Sequence, residues 1–340
     1  MIIVMTSKAT LKDRNAIVKR LEGQGYMVDI SEGKERTLIG AIGANVDNKD
    51  AIMNQLTTLP YVEKVVPILK PYKLAGKEIH ERTEIDLGAG VTIGGNQIVI
   101  MAGPCAVEGA DKVIEIAKAL KAAGVKVFRA GAYKPRTSPY SFQGYGLAGL
   151  KMLAAVREET GMRIVTEVMA PRDLKHVEKY ADVVQVGTRN MHNFELLKDC
   201  GKCSKPILLK RGLAATIEEW LLAAEYIMKA GNPNVILCER GIRTFEPYTR
   251  NTLDLNAVAA VKHLSHLPVV ADPSHGTGRY ELVAPMAKAS IAAGADGLML
   301  EAHTNPGEAI SDSQQTISIK DYRALKKQLQ AVAAAVGRKL

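Results

Sequence analysis

Aromatic residues are scarce in this chain: 4 Phe, 11 Tyr and 1 Trp among 340 residues. That leaves few flat surfaces on which nucleobases could stack, so the formal charge of +9 does not by itself indicate a nucleic-acid partner. The charge is not gathered into a basic arm either. Residues 1–75 hold 11 Lys/Arg against 8 Asp/Glu, a net +3, and the remaining +6 is spread over the rest. Small anionic molecules are the expected partners. No apolar run is long enough to cross a bilayer, and Met1-Ile2-Ile3-Val4-Met5 lacks the basic flank and length of a signal peptide, so no membrane association and a cytoplasmic location are expected. Cysteines number only four (Cys105, Cys200, Cys203 and Cys238), too few for a disulfide framework; in the cytoplasm they are expected to be reduced.

What is present is a regular alternation. In residues 1–70 the apolar pattern predicts the order βαββαβ: strands at Ile2 to Met5, Met27 to Ile30, Thr37 to Ile42 and Val62 to Ile68, helices at Leu11 to Leu21 and Asp50 to Leu59. This order in some 70 residues is that of a ferredoxin-like module. Residues 71–82 read as a linker and 83–100 as a hairpin. From there, apolar runs ending at Met101, Phe128, Val168, Val186, Leu209, Leu237, Ala271 and Leu300 alternate with helical periodicity. Eight strand–helix units within 83–340 predict a (β/α)8 TIM barrel, with a doubly wound sheet the alternative.

In such a barrel the chemistry lies at the carboxyl ends of the strands. Those positions hold two chemically distinct sets. Cys105, His275, Glu301 and Asp312 combine a thiol, an imidazole and two carboxylates, which suits a divalent transition metal, with His303 a competing ligand. Arg129, Lys134, Arg136, Arg189, Lys210, Arg211, Arg240 and Arg243 are cations that Glu167, Glu239 and Asp272 cannot all neutralise. No Asp or Glu occurs between Glu115 and Glu158, so the cations of the 128–138 loop need an anion from elsewhere, most simply a ligand with phosphate and carboxylate groups. Cys200-Gly201-Lys202-Cys203 has redox or zinc spacing but no second pair and reads as a surface coincidence; Trp220 reads as core.

Lys134-Pro135-Arg136-Thr137-Ser138, Gly103-Pro104-Cys105, Arg189-Asn190-Met191, Lys210-Arg211-Gly212, Glu239-Arg240-Gly241 and Asp272-Pro273-Ser274-His275 together resemble the 3-deoxy-arabino-heptulosonate 7-phosphate (DAHP) synthases of the type I beta branch. The resemblance covers 83–319, and residues 1–70 resemble the regulatory domain some of those enzymes carry. It implies an aldol-like condensation of phosphoenolpyruvate with erythrose 4-phosphate at the entry to aromatic amino-acid synthesis. It also implies a divalent ion (Mn, Fe, Co or Zn) on Cys105, His275, Glu301 and Asp312. By the same resemblance Arg129, Lys134, Arg189, Lys210 and Arg240 grip phosphoenolpyruvate, and Arg136 and Thr137 take the aldehyde's phosphate; the further expectation is that Lys134 donates a proton to the forming alkoxide. A tyrosine or phenylalanine effector and a homotetramer are further expectations of the resemblance. Ala130, Thr188 and Ser313 depart from the usual pattern, and Ser313 puts the backbone around Asp312 in question. The rival enzyme, 3-deoxy-manno-octulosonate 8-phosphate synthase, is disfavoured because Pro135-Arg136-Thr137 brings the Arg close to Lys134, as a shorter acceptor requires. A non-catalytic anion-binding barrel is the rival of another class.

Overall fold

The computed structural model describes residues 1–33, 36–43, 49–67 and 71–340, with the side chain of Asp50 excepted. The chain divides into two units, Met1–Pro71 and Tyr72–Leu340. In the first, β1 (Ile2–Met5), α1 (Leu11–Glu22), β2 (Met27–Glu32), β3 (Thr37–Ile42), α2 (Lys49–Thr57) and β4 (Val62–Val66) follow the expected order, and the sheet order β2-β3-β1-β4 is ferredoxin-like. The expected end of the last strand at Ile68 lies outside the described residues. Helix α1 starts where it does because Thr10 and Asp13 form a reciprocal capping box. Ile3, Met5 and Ile39 on one sheet face meet Ile17, Leu21, Ile52 and Leu56 from the two helices. That single apolar layer is the module's core.

The second unit opens at Tyr72, within the 71–82 segment expected as a linker, and that segment is held against the barrel. Tyr72 and Ala75 are buried among the barrel's apolar residues. The Glu225 carboxylate accepts the backbone N–H groups of Lys73, Leu74 and Ala75 at 3.0, 2.8 and 2.9 Å. Three donors on one carboxylate fix the segment against the helix that carries Glu225, a long-range partner that local composition cannot reveal. The hairpin follows as β5 (Ile85–Asp86) and β6 (Thr92–Ile93).

Eight parallel strands then close on themselves: β7 (Val99–Gly103), β8 (Val127–Arg129), β9 (Arg163–Val168), β10 (Val183–Val186), β11 (Ile207–Lys210), β12 (Val235–Glu239), β13 (Val269–Ala271) and β14 (Gly297–His303), with β14 pairing back to β7. Between them run α3 (Ala110–Ala122), α4 (Gly146–Thr160), α5 (Leu174–Tyr180), α6 (Phe194–Cys200), α7 (Ile217–Lys229), α8 (Leu255–Leu264), the short α9 (Pro273–Thr277) and α10 (Tyr280–Ala292); β15 (Ile317–Ser318) and α11 (Ile319–Ala335) complete the ring. A 3-10 turn, Pro171–Asp173, precedes α5.

Side chains alternate across the barrel wall. Val99, Met101, Val127, Val165, Val183, Leu208, Ile236, Val270 and Met299 fill the interior, sealed below by Ile85, Leu87, Val91 and Ile93 of the hairpin. Their neighbours, such as Ile100, Phe128, Ile164, Val184 and Leu209, face the helices. Trp220 is buried there, its Nε1 donating to Leu209 O at 3.2 Å. Cys200 and Cys203, expected at the surface, are also buried in this layer, where the Asn232 amide ties both their carbonyls to Lys205 O. Burial pushes both thiols up to about 12, which leaves them as thiols rather than reactive thiolates.

Candidate active site

Period-two alternation decides which side chains reach the rim. Two residues beyond the interior apolar layer, six strands present a polar inward position: Arg129 after Val127, Glu167 after Val165, Gln185 after Val183, Lys210 after Leu208, Asp272 after Val270 and Glu301 after Met299; on β12 that position is the apolar Cys238, and Arg240 follows two residues later. On β7 that position is Gly103, where a Cβ would stand 2.1 Å from Arg129 O, so the polar residue comes two later, at Cys105. A shift of one residue reverses the direction. Arg211 therefore does not join the mouth as the sequence suggests. It lies behind the wall, donating to Glu239 Oε2 at 3.0 Å and Asp254 Oδ2 at 2.9 Å, with its guanidinium over the Trp220 ring.

Cys105, His275, Glu301 and Asp312 converge, each offering a donor atom within 4.8 Å of the others. Cys105 Sγ lies 2.8 Å from Asp312 Oδ2, and His275 Nε2 lies 3.3 Å from Glu301 Oε1. His275 Nδ1 donates to Asp272 Oδ2 at 2.8 Å, which leaves the Nε2 lone pair for the cluster. Burial lowers the pKa of His275, favouring the neutral ring a metal needs. Burial works to raise the Asp272 carboxyl, but His275 and Lys210 outweigh it and hold it well below the usual range. Burial and then the Glu301 charge push the Cys105 thiol up to about 12. A thiol, an imidazole and two carboxylates at this spacing fit a divalent transition metal, whose charge would take the place of the thiol proton. His303 is not part of the set: its Nε2 is 2.9 Å from Glu108 Oε2, and its Nδ1 accepts the Asn305 N–H.

Asp312 is one of two non-glycine residues with positive φ among those described, at 56°. The left-handed conformation thus falls on Asp312 itself and not on Ser313, which opens a 3-10 turn, Ser313–Gln315. An Asp tolerates this backbone at modest cost, and the strain sits where a side chain must be aimed.

Beside the cluster is a cavity of about 430 Å3. Arg129, Lys134, Arg136, Thr137, Arg189, Lys210, Arg240 and Arg243 line it, together with His275 and Asp312. Some of these cations have carboxylate partners: Arg129 Nη1 is 3.0 Å from Glu301 Oε1, and Lys210 Nζ is 2.6 Å from Asp272 Oδ2. Others bond only neutral or sulfur groups among the described residues. Lys134 Nζ contacts Cys105 Sγ at 2.8 Å and Cys105 O at 3.0 Å. Arg136 donates to Phe142 O and Ser311 Oγ, and Arg189 to Pro135 O at 3.3 Å and Thr137 Oγ1 at 3.5 Å. Arg240 is buried, with Nε and Nη1 lacking any partner among the described residues, and burial lowers its pKa. Buried guanidinium donors without acceptors are the signature of a site awaiting an anion.

The structure adds lining residues that sequence reading passed over. Gln185 donates to Glu167 Oε2 at 3.0 Å, and Gly187 lets that carboxylate approach, since a Cβ there would stand 1.9 Å from Glu167 Oε1. Arg250 and Asn251 lie far along the loop after β12, which the Ile242–Thr252 bridge folds back to the mouth. The period-two phase of β10 would have found Gln185; nothing local marks Arg250.

Residues 80–338 match the family model described as DAHP synthetase I family, and residues 1–70 the DAHP synthase ferredoxin-like domain. The chain is 48% identical to the phospho-2-dehydro-3-deoxyheptonate aldolase of Thermotoga maritima over the full length of both. A crystal structure of phospho-2-dehydro-3-deoxyheptonate aldolase (DAHP synthase) from that organism superposes with a TM-score of 0.92 at 47% identity, covering 99% of this chain and 98% of the other. A truncated form of the T. maritima DAHP synthase matches 79% of this chain and 98% of its own, with a TM-score of 0.74 at 46% identity. More distantly, a 2-dehydro-3-deoxyphosphooctonate aldolase of Nitratidesulfovibrio vulgaris is 32% identical over 68% of this chain and 91% of its own length. Two domain matches in the right order, full-length identity and the same barrel agree: the chain belongs to the DAHP synthetase I family.

Proposed function

We propose that the chain condenses phosphoenolpyruvate with erythrose 4-phosphate, taking up one water and releasing inorganic phosphate as DAHP forms, at a metal-dependent site. The observation that carries this reading is the juxtaposition of the four-donor cluster with a cavity in which Arg136, Arg189 and Arg240 have no carboxylate partner among the described residues. Arg129, Lys134, Arg189, Lys210 and Arg240 bind the phosphate and carboxylate of phosphoenolpyruvate, with Arg240 supplying the two unused donors. Arg136 and Thr137 bind the phosphate of the aldehyde. Cys105, His275, Glu301 and Asp312 hold the ion. When bound there, a divalent ion supplies Lewis-acid polarisation of the aldehyde oxygen. Lys134, 2.8 Å from the Cys105 sulfur, is placed to hand a proton to the oxygen that becomes a hydroxyl.

Consumption of phosphoenolpyruvate with and without erythrose 4-phosphate, before and after chelation, tests the reading. Turnover that needs the four-carbon aldehyde, is lost on chelation and returns with Mn supports it. Turnover with a five-carbon aldose phosphate instead assigns the chain to the octulosonate reaction, and binding without phosphate release under any metal assigns it to a non-catalytic role. Feedback inhibition by tyrosine or phenylalanine through residues 1–70, and a tetrameric assembly, rest on membership of the family and on the ferredoxin-like module.

A further inference from the structure

Two residues outside the four-donor cluster hold its two carboxylates from behind. The Gln315 side chain is buried, and its Nε2 donates to Glu301 Oε2 at 2.7 Å. The other end of the same amide, Oε1, accepts from Arg250 Nη1 at 3.0 Å, and that same Nη1 donates to Asp312 Oδ1 at 3.1 Å. With both ends engaged, the amide has one orientation only. The other two oxygens face the cluster: Glu301 Oε1, 3.3 Å from His275 Nε2 and accepting from Arg129 Nη1 at 3.0 Å, and Asp312 Oδ2, 2.8 Å from Cys105 Sγ and accepting from Ser311 Oγ at 3.0 Å.

The backbone is arranged to make these contacts. Gln315 returns beneath Asp312 because its N–H closes on Asp312 O in the 3-10 turn. Arg250 is pinned to the segment that carries His275: its N–H donates to Thr277 O at 2.9 Å, and a Cβ at Gly278, where φ is 70°, would stand 2.4 Å from the Arg250 Cβ.

We propose that Arg250 and Gln315 are positioning residues for the metal centre, tying back one oxygen of Asp312 and one of Glu301 so that each carboxylate presents a single oxygen to the ion. The inference rests on the reading of the four residues as metal ligands. Outer partners of this kind set ligand orientation and affinity, and their loss typically weakens metal binding about 10–100-fold. Freed of them, each carboxylate can turn and chelate with both oxygens, which changes coordination number as well as affinity.

The test uses the full chain, stripped by a chelator and titrated with Co(II) in the absence of substrate. Absorption reports both affinity and coordination number, since d–d intensity falls as coordination rises. Gln315→Met and Arg250→Met are each expected to weaken Co(II) binding about 10–100-fold and to lower the d–d intensity, with Arg250→Lys recovering part of both. The double variant is expected to lose less than the product of the single losses, because Arg250 acts partly through the Gln315 amide. Far-UV circular dichroism checks folding, and the half-exposed Arg250 provides a variant that does not depend on refilling a buried site. Wild-type affinity and an unchanged spectrum in the Met variants overturn the inference while leaving the metal reading intact. A wild-type chain that takes up no Co(II) overturns both.

Discussion

Replacing Arg240 by Met should move stability and substrate affinity in opposite directions. The Arg240 guanidinium is buried and leaves Nε and Nη1 without acceptors among the described residues, at a desolvation cost of about 1–3 kcal/mol for each such group. Met has similar length and needs no partner, so it recovers that cost less the attraction between Arg240 and Asp272. A net gain of about 1–2 kcal/mol is expected, which raises Tm by roughly 2–4 °C per kcal/mol for a domain of some 200 residues. The same two donors make charge-assisted bonds to phosphoenolpyruvate in the proposed complex, each contributing about 1.5–3 kcal/mol. Losing both weakens binding by about 3–6 kcal/mol, on the order of 100- to 10,000-fold. Thermal melting without ligand and calorimetric titration with phosphoenolpyruvate measure the two effects separately. A variant that melts earlier and binds phosphoenolpyruvate as well as wild type would refute the assignment of Arg240 to the anion site.

Lys134→Arg keeps a cation at the cavity wall but not a proton donor of suitable acidity, so phosphoenolpyruvate affinity should survive while kcat collapses; near-normal turnover removes the proton role. Burial lowers the pKa of His266 below 6.5, so the unfolded chain takes a proton there that the folded chain resists. Stability is therefore retained above about pH 6.5 and declines below it, and His266→Gln should flatten that decline in urea unfolding curves; an unaltered slope would show that other groups set it. Removing residues 1–70, which form a separate unit, should abolish inhibition by tyrosine or phenylalanine while preserving turnover, and inhibition that persists assigns the module another task.

The barrel was legible because each strand is a buried apolar run bounded by helical periodicity, and the convergence of Cys105, His275, Glu301 and Asp312 was legible because all four fall at or beyond the carboxyl ends of strands. Direction was harder. Lys210 and Arg211 are adjacent cations in sequence, yet one reaches the cavity and the other is neutralised behind the wall by Glu239 and Asp254. Only the alternation, counted from Leu208, separates them. Residues 71–82 misled because three backbone N–H groups find their acceptor on Glu225, some 150 positions away. Arg250 and Gln315 were invisible for the same reason: a long loop and a strained Asp bring them to Glu301 and Asp312 from places where sequence spacing predicts nothing.

The pairing of β14 with β7 sets Glu301 beside Gly103, so the seam where the ring closes is also where the donor quartet is stitched together. Cys105 comes from the first stave, His275 and Glu301 from the last two, and Asp312 from the loop beyond them. During synthesis no nascent chain shorter than 312 residues holds all four members of the quartet. An ion held by the quartet would clasp the first strand to the last at the point where the ring closes.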